Sequence, residues 1–386
     1  MFADYPNKRL CDVVFPGAHD ASITAGNSHV MTQAKDIYEQ AKSGCRWFDT
    51  RVMVAAAKNQ TVQAVGYHSP AKWAPPLTKN KGKHNEHQKL LVGGKGEALR
   101  DICSEARRFV EEYKTEFIFL KFDKCLGGYE NIVIEVARVL GSSGLYYPGD
   151  LNTALLSELK GKVIPLYPEK ERKNIGHHKL GYTPQMAAAL ATGDGTGPLP
   201  INFWKNLHGK PHYDHDYKGL QYIGKYSAST FAPWRILQRT TKLNWYSKTK
   251  VEYAKKVQKE ERLPLAKKAV KKGSLPVHTL GMMYWTATGW IDNIEKRDLL
   301  LWTKSGVNDL EKIWRGGLQL SIEEKMEQCS YPQDSTGPVG LSPKCFLPNI
   351  VMIDFVNDMR CNTIWGLNKQ AESHMQYLMN LQNFGD

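Results

Sequence analysis

Two histidines fix what chemistry this chain can offer. His19 stands beside Asp20 in Pro-Gly-Ala-His-Asp-Ala-Ser (16–22), where the chain leaves an apolar stretch through Gly17. His68 follows Tyr67 at the end of Thr61–Tyr67. Histidine titrates near neutrality, so two of them can serve one reaction as proton acceptor and proton donor. Asp49 and Arg51 lie two apart in Arg46–Val54, on one face of an extended chain together with Trp47 and Met53. Asp354 interrupts the apolar run Asn349–Val356, and a carboxylate buried there is costly without a partner. Each residue alone has an ordinary structural reading, such as a satisfied core histidine or a plain Asp49–Arg51 ion pair. Their joint placement at successive strand ends is what favours a functional site over these readings.

The elements around them must bring these ends together. Asp12–Pro16 reads as a strand stopped by Pro-Gly. Thr32–Lys42 reads as a helix capped by Thr32, with Ala34, Ile37, Tyr38 and Ala41 on one face and Gly44 as its stop. Further strands are expected at Arg46–Val54, Thr61–Tyr67, Glu116–Phe122, Lys162–Tyr167, Leu220–Tyr226, Thr279–Thr288 and Asn349–Val356. Helices are expected at Leu99–Tyr113, Asn131–Leu140 and after the last strand, with 70–96 a polar loop. This alternation predicts an α/β fold with a mainly parallel sheet or barrel. In a parallel barrel the C-terminal strand ends open on one rim, where both histidines, Arg51 and the carboxylates would meet.

Composition narrows the partners. The chain of 386 residues is 41% hydrophobic and 10% aromatic, enough for a large core, and carries a formal net charge of +13. That excess draws it to anions. No zinc-finger, RRM or basic-zipper pattern accompanies the charge, so no nucleic acid is expected. Ten tryptophans and eighteen tyrosines favour an anionic phospholipid or membrane surface, where amphipathic rings sit well. No apolar run is long enough for a transmembrane segment. The first residues do not read as a signal peptide, which predicts a cytoplasmic protein or one exported by a non-classical route. Seven cysteines without a CxxC pair argue against a zinc site and for reduced thiols. Residues 170–275 are rich in lysine and aromatics. Within them Lys242–Lys272 reads either as a solvated helix face or as a surface for membrane or partner.

The motifs GAHDAS (17–22), TQ-x3-I-x2-Q (32–40), G-x-R-x2-D-x-R (44–51) and Tyr67-His68 resemble the opening of the X domain of phosphatidylinositol-specific phospholipase C, in its bacterial, metal-independent form. The resemblance is close over residues 12–70, looser through Glu116–Lys124 and Lys160–Leu166, and returns at Asn349–Phe355. It implies a distorted TIM-like (β/α) barrel forming a single domain over 1–386, with 170–275 as a divergent insertion or specificity region. It implies that His19 is the general base, Asp354 its orienting carboxylate, Arg51 the ligand of the phosphoryl oxygens, His68 the general acid and Asp20 the carboxylate coupled to it. Substrate contacts would come from Tyr226, Lys121, Asp123 and Asp49.

The same resemblance implies a phosphodiesterase, a phosphorus–oxygen lyase or phosphoric diester hydrolase, that forms a cyclic phosphate. The substrate would be phosphatidylinositol or a glycosylated form of it, the protein a monomer without a cofactor. Calcium-dependent relatives carry an aspartate where this chain has Arg51, so no metal is expected. Asp123 has two readings, a ligand for a cation or a partner for Arg51. Two other functions compete: the same chemistry on a different head group or a non-lipid phosphodiester, and a non-catalytic barrel that binds membrane or protein.

Overall fold

Short apolar runs punctuated by glycine, proline and charged residues form the sheet of this protein. The computed structural model describes residues 5–68 except 11, 12, 27, 29, 59 and 60; 94–175 except 142–144; 201–206; 217 and 219–224; 280–286; 294–311 except 305 and 309; and 349–369. In chain order the strands are β1 (Phe15–Ala18), β2 (Trp47–Thr50), β3 (Val52–Lys58), β4 (Thr61–His68), β5 (Gly94–Ala98), β6 (Ile118–Phe122), β7 (Val163–Pro168), β8 (Asn202–Asn206), β9 (Leu220–Gly224), β10 (Leu280–Trp285) and β11 (Ile350–Ile353). Eight of them close a parallel barrel in the order β1-β11-β10-β9-β8-β7-β6-β2. The barrel strands follow one another round the barrel in chain order, with β3, β4 and β5 standing outside it between β2 and β6 and with β11 closing on β1.

The expected α/β barrel is therefore present, with three differences in detail. Arg46–Val54 is not one strand. It breaks at Arg51, and β3 turns away to pair antiparallel with β4, which pairs in turn with β5. His68 thus comes from a three-stranded excursion between the second and third barrel strands, not from a barrel strand. The first helix, α1, begins at Ile37 and not at Thr32, because Asp36 caps it by accepting from the Glu39 backbone N–H at 2.8 Å. Thr32 instead donates its hydroxyl to the Asp20 carbonyl. Finally, β8 and β9 lie within 170–275, so that stretch supplies two staves of the barrel. Tyr226, Lys242–Lys272 and most of the 70–96 loop fall outside the described residues.

The period of two along each strand splits the core in two. Trp47, Phe119, Ile164, Leu166, Tyr222, Met282, Tyr284 and Met352 pack together inside the barrel. Phe48, Ile118, Leu120, Phe122, Val351 and Ile353 point outward and pack with α1 (Ile37–Lys42), α2 (Leu99–Glu112) and α3 (Tyr129–Leu140). Each such fully buried side chain contributes about 1.5–3 kcal/mol. Inward positions 47 and 119 continue at 49 and 121, where the residues change from aromatic to charged. Asp49 and Lys121 face each other in the β2–β6 register. The apolar barrel interior ends there, and a polar mouth begins at the C-terminal strand ends.

Candidate active site

The backbone immediately after β1 and β11 builds one half of this mouth. His19 and Asp354 each follow the last residue of a strand, and β1 pairs with β11 directly. The His19 N–H donates to the Ile353 carbonyl, which locks the two strand ends together. Gln33 stitches the same junction. Its amide NH2 donates to the carbonyls of His19 (2.9 Å) and Ile353 (3.2 Å), and its oxygen accepts from the Val356 N–H at 2.9 Å. His19 Nδ1 then meets Asp354 Oδ1 at 2.9 Å, both side chains being buried. A carboxylate accepts, so Nδ1 carries a proton and Nε2 is the nitrogen that can gain and lose one. The Tyr284 ring stands edge-on to the imidazole, with centroids 5.4 Å apart.

Asp20 occupies the centre. It adopts a left-handed backbone, φ 42°, a conformation that costs a non-glycine residue about 1–3 kcal/mol and persists only where the surroundings enforce it. The Ala21 N–H donates to the Asp49 carbonyl and the Thr32 hydroxyl to the Asp20 carbonyl, which supplies that enforcement. As a result one buried carboxylate reaches three cations or potential cations. Oδ2 lies 3.5 Å from His19 Nε2 and 3.4 Å from His68 Nε2, while Oδ1 lies 3.1 Å from Arg51 Nη2.

His68 arrives from the excursion. Two glycines seat it: a Cβ on Gly66 would lie 2.4 Å from Ser22 Oγ, and one on Gly96 would lie 1.8 Å from the Ser22 carbonyl oxygen. Only glycine lets β4 and β5 approach the 20–23 turn so closely. The Glu97 N–H completes the seat by donating to the Ser22 carbonyl at 2.9 Å. His68 keeps 24% of its side chain exposed, against 9% for His19, so it faces the opening.

Beneath these residues lies a second charged layer. Lys121 is fully buried, and its ammonium donates to Asp49 Oδ1 at 2.9 Å and Asp123 Oδ2 at 3.2 Å. The Tyr284 hydroxyl donates to Asp49 Oδ2 at 3.0 Å, and Lys121 Nζ lies 4.6 Å from the centre of the Trp204 ring. Asp123 thus pairs with Lys121.

No family model matches this chain, and no curated protein matches it. Among solved structures it is similar to a phosphatidylinositol-specific phospholipase C from Listeria monocytogenes, at 14% identity over 94% of this chain and 95% of that one, with a TM-score of 0.46. A mutant phosphatidylinositol-specific phospholipase C from Staphylococcus aureus is similar at 15% identity over 93% and 94%, with a TM-score of 0.39. A calcium-dependent phosphoinositol-specific phospholipase C from a Pseudomonas species is similar at 12% identity over 58% and 79%, with a TM-score of 0.33.

The charges of the site are set by one another. Burial alone would lower the pKa of His19, but the carboxylates of Asp20, Asp354 and Asp49 outweigh it and raise it above 6.5. For His68 burial wins: Asp20 pulls upward, Arg51 and His19 push down, and the net shift is below 6.5. Burial would raise Asp20, yet Arg51, His19, His68 and Lys124 hold it well below the usual carboxylate range. Lys121 stays a firm cation, because Asp123 and Asp49 overcome its burial. The unliganded site therefore holds its proton on His19 in preference to His68. Because both imidazoles share one Asp20 oxygen, they titrate as a coupled pair.

Eight of the nine residues singled out from the sequence meet at this mouth: His19, Asp20, Asp49, Arg51, His68, Lys121, Asp123 and Asp354. Tyr226 is outside the described residues. Three contributors carried no role in the sequence reading. Gln33 and Gln40 stood in a quoted motif without a function, and Gln40 donates to the Ala21 carbonyl at 2.8 Å. Tyr284 sits at an inward position of β10, and strand alternation could have marked it as the polar end of an apolar run. As for a metal, the carboxylates do not fit a calcium site. Asp49 and Asp123 are taken by Lys121 and Asp20 by Arg51. Among the described residues no cluster of three His, Cys, Asp or Glu side chains suits an ion.

Proposed function

We propose that this protein cleaves a phosphodiester by histidine acid–base catalysis, acting as a phospholipase C-like enzyme on phosphatidylinositol or a glycosylated form of it. The observation that carries the reading is Asp20, one carboxylate spanning His19, His68 and Arg51 within 3.5 Å. His19 Nε2 takes the proton of the hydroxyl beside the phosphodiester, with Asp354 holding Nδ1–H and stabilising the imidazolium. The freed oxygen attacks phosphorus. Arg51 answers the charge on the phosphoryl oxygens through its planar donors. The bond from phosphorus to the lipid alcohol breaks, and His68 delivers its proton to the leaving oxygen. The product is a cyclic phosphodiester.

The bound phosphate, an anion beside His68, shifts the shared proton towards His68 and so prepares both groups for their roles. Asp49 and Asp123, held by the buried Lys121, form the polar floor of the head-group site, with Tyr226 as a further contact. We propose a metal-independent reaction on this basis, since Arg51 and Lys121 supply fixed cationic charge beside the carboxylates. The whole chain, 1–386, is one barrel domain in this reading. Residues 170–275 supply specificity beyond their two strands, and the positive charge docks the protein on an anionic membrane surface.

Phosphorus NMR of the protein with phosphatidylinositol vesicles, in EDTA, tests the reading. Expected is a cyclic phosphodiester signal that disappears in His19→Ala and His68→Ala. Turnover of other phosphodiesters but no inositide would move the proposal to a different head group. Absence of any phosphodiester cleavage would sink it.

A further inference from the structure

Behind the His19–Asp354 pair lies a buried ion pair that the reaction as written does not use. Asp298, on α4 (Ile294–Leu301), is fully buried. Its Oδ2 lies 2.6 Å from Nη1 of Arg360, also buried, on the helix over 358–369 that follows β11. The same Arg360 nitrogen donates to the carbonyls of Asp354 (2.7 Å) and Phe355 (2.8 Å). The guanidinium lies 5.2 Å from the Trp302 ring centre, just past the end of α4. Phe355 is left-handed, φ 46°, so the turn that carries Asp354 is strained and must be held. Gln33 holds it from one side and Arg360 from the other.

Holding two carbonyls does not by itself require a charge. A buried guanidinium is costly unless answered, and Asp298 answers it. A deep ion pair is a weak source of stability compared with apolar packing, so what it offers here is orientation and field. Four ionisable side chains run in one buried series: His19, Asp354, Arg360 and Asp298. Arg360 answers the Asp298 carboxylate and two carbonyls of the turn, while the Asp354 carboxylate answers His19.

We propose that Asp298 is a positioning residue for the His19–Asp354 pair. Through Arg360 it holds the turn bearing Asp354, and it sets the field in which His19 gains and loses its proton. With Asp298 ionised, the charge of Arg360 is cancelled and Asp354 acts undiminished on His19. With Asp298 neutral, Arg360 opposes the imidazolium across Asp354, and the pKa of His19 falls. Burial first, then the like charge of Asp354, push the Asp298 carboxyl upward, and the Arg360 guanidinium at 2.6 Å pulls it the other way. Arg360, Asp354 and the Trp302 indole face Asp298. Asp20, Asp354, Asp49 and the Tyr284 ring face His19, with Arg51 and His68 across Asp20.

The catalytic part of this inference rests on His19 being the base, so its test uses a readout independent of turnover. Histidine ring NMR of the full chain, with His19 assigned by His19→Ala, follows the imidazole against pH in wild type and in Asp298→Asn. Expected is a fall in the His19 midpoint on the order of half a unit or more on loss of the negative charge. A matching move to lower pH is expected in the His19 limb of the rate profile. An unchanged His19 midpoint would reduce Asp298 to a packing role and overturn the proposal. Wild type gives a second arm if the variant does not fold. The Asp298 carboxyl carbon should report an ionised group throughout the His19 transition, and a carboxyl already protonated below that transition would overturn the proposal equally. If the protein cleaves no phosphodiester, the base assignment fails while the titrations still decide the pairing.

Discussion

His19 can act as a base only from Nε2, and that restriction comes from one contact. Asp354 Oδ1 fixes the proton on Nδ1 at 2.9 Å, leaving the other nitrogen towards Asp20 and the opening. Asp354→Asn keeps the volume of the side chain but can offer its NH2 to Nδ1, which would favour the opposite tautomer. We expect kcat on a phosphodiester substrate to fall on the order of 10²–10⁴-fold, with KM changed far less, since in the proposed reaction Asp354 does not touch substrate. A fall in kcat/KM carried wholly by KM would remove Asp354 from the dyad. Asp354 was legible because a lone carboxylate in an apolar strand demands a partner. Asp298 and Arg360 were not, because residues 298 and 360 lie on separate helices and nothing local links them.

At the scale of elements, the site is half barrel and half excursion. His19, Asp49, Lys121 and Asp354 ride on barrel strand ends, where alternation and the parallel order place them. His68 depends on the fit of β4 and β5 against Ser22, and the sequence shows only two ordinary glycines there. Gly96→Ala puts a methyl group 1.8 Å from the Ser22 carbonyl oxygen, so the excursion must shift. We expect a stability loss of about 1–3 kcal/mol in urea unfolding. Activity should fall as in a His68 variant. Unaltered activity in Gly96→Ala would mean that His68 is not held by this seat. Lys121 belongs to the barrel half. Lys121→Met removes the cation between Asp49 and Asp123 and leaves two buried carboxylates facing each other. The expected cost is about 3–5 kcal/mol, read from the same unfolding curves, and a loss below 1 kcal/mol would show that the two acids find other partners or take up protons.

For the whole molecule, the alternation of strand and helix was enough to read a mainly parallel sheet or barrel, which the family resemblance narrowed to a barrel, and the residues up to His68 were enough to read about half of its mouth. What the sequence did not show is where the chain leaves the barrel. Arg46–Val54 keeps one unbroken alternation through the break at Arg51, so local pattern favours one strand where tertiary pairing makes two. The left-handed residues Asp20, Lys124 and Phe355 are equally invisible, since Lys and Phe argue against that conformation and Asp merely tolerates it. These strained, charged strand ends give the fold a pH signature. Asp20 has a folded pKa below its ordinary 3.8, chiefly because Arg51 and then the two histidines outweigh burial. A carboxylate lowered in this way stabilises the fold above 3.8, and that contribution is lost as pH falls through 3.8 towards the folded value. Asp20→Asn lacks the contribution at every pH and leaves the buried Arg51 guanidinium without its counter-charge. The advantage of wild type over Asp20→Asn, measured by urea unfolding at a series of pH values, should therefore shrink below pH 3.8 by up to about 1.4 kcal/mol per unit. An advantage that stayed constant down to pH 2 would mean that Asp20 is not held ionised by Arg51 and the histidines, and the central carboxylate of the site would lose its assigned place.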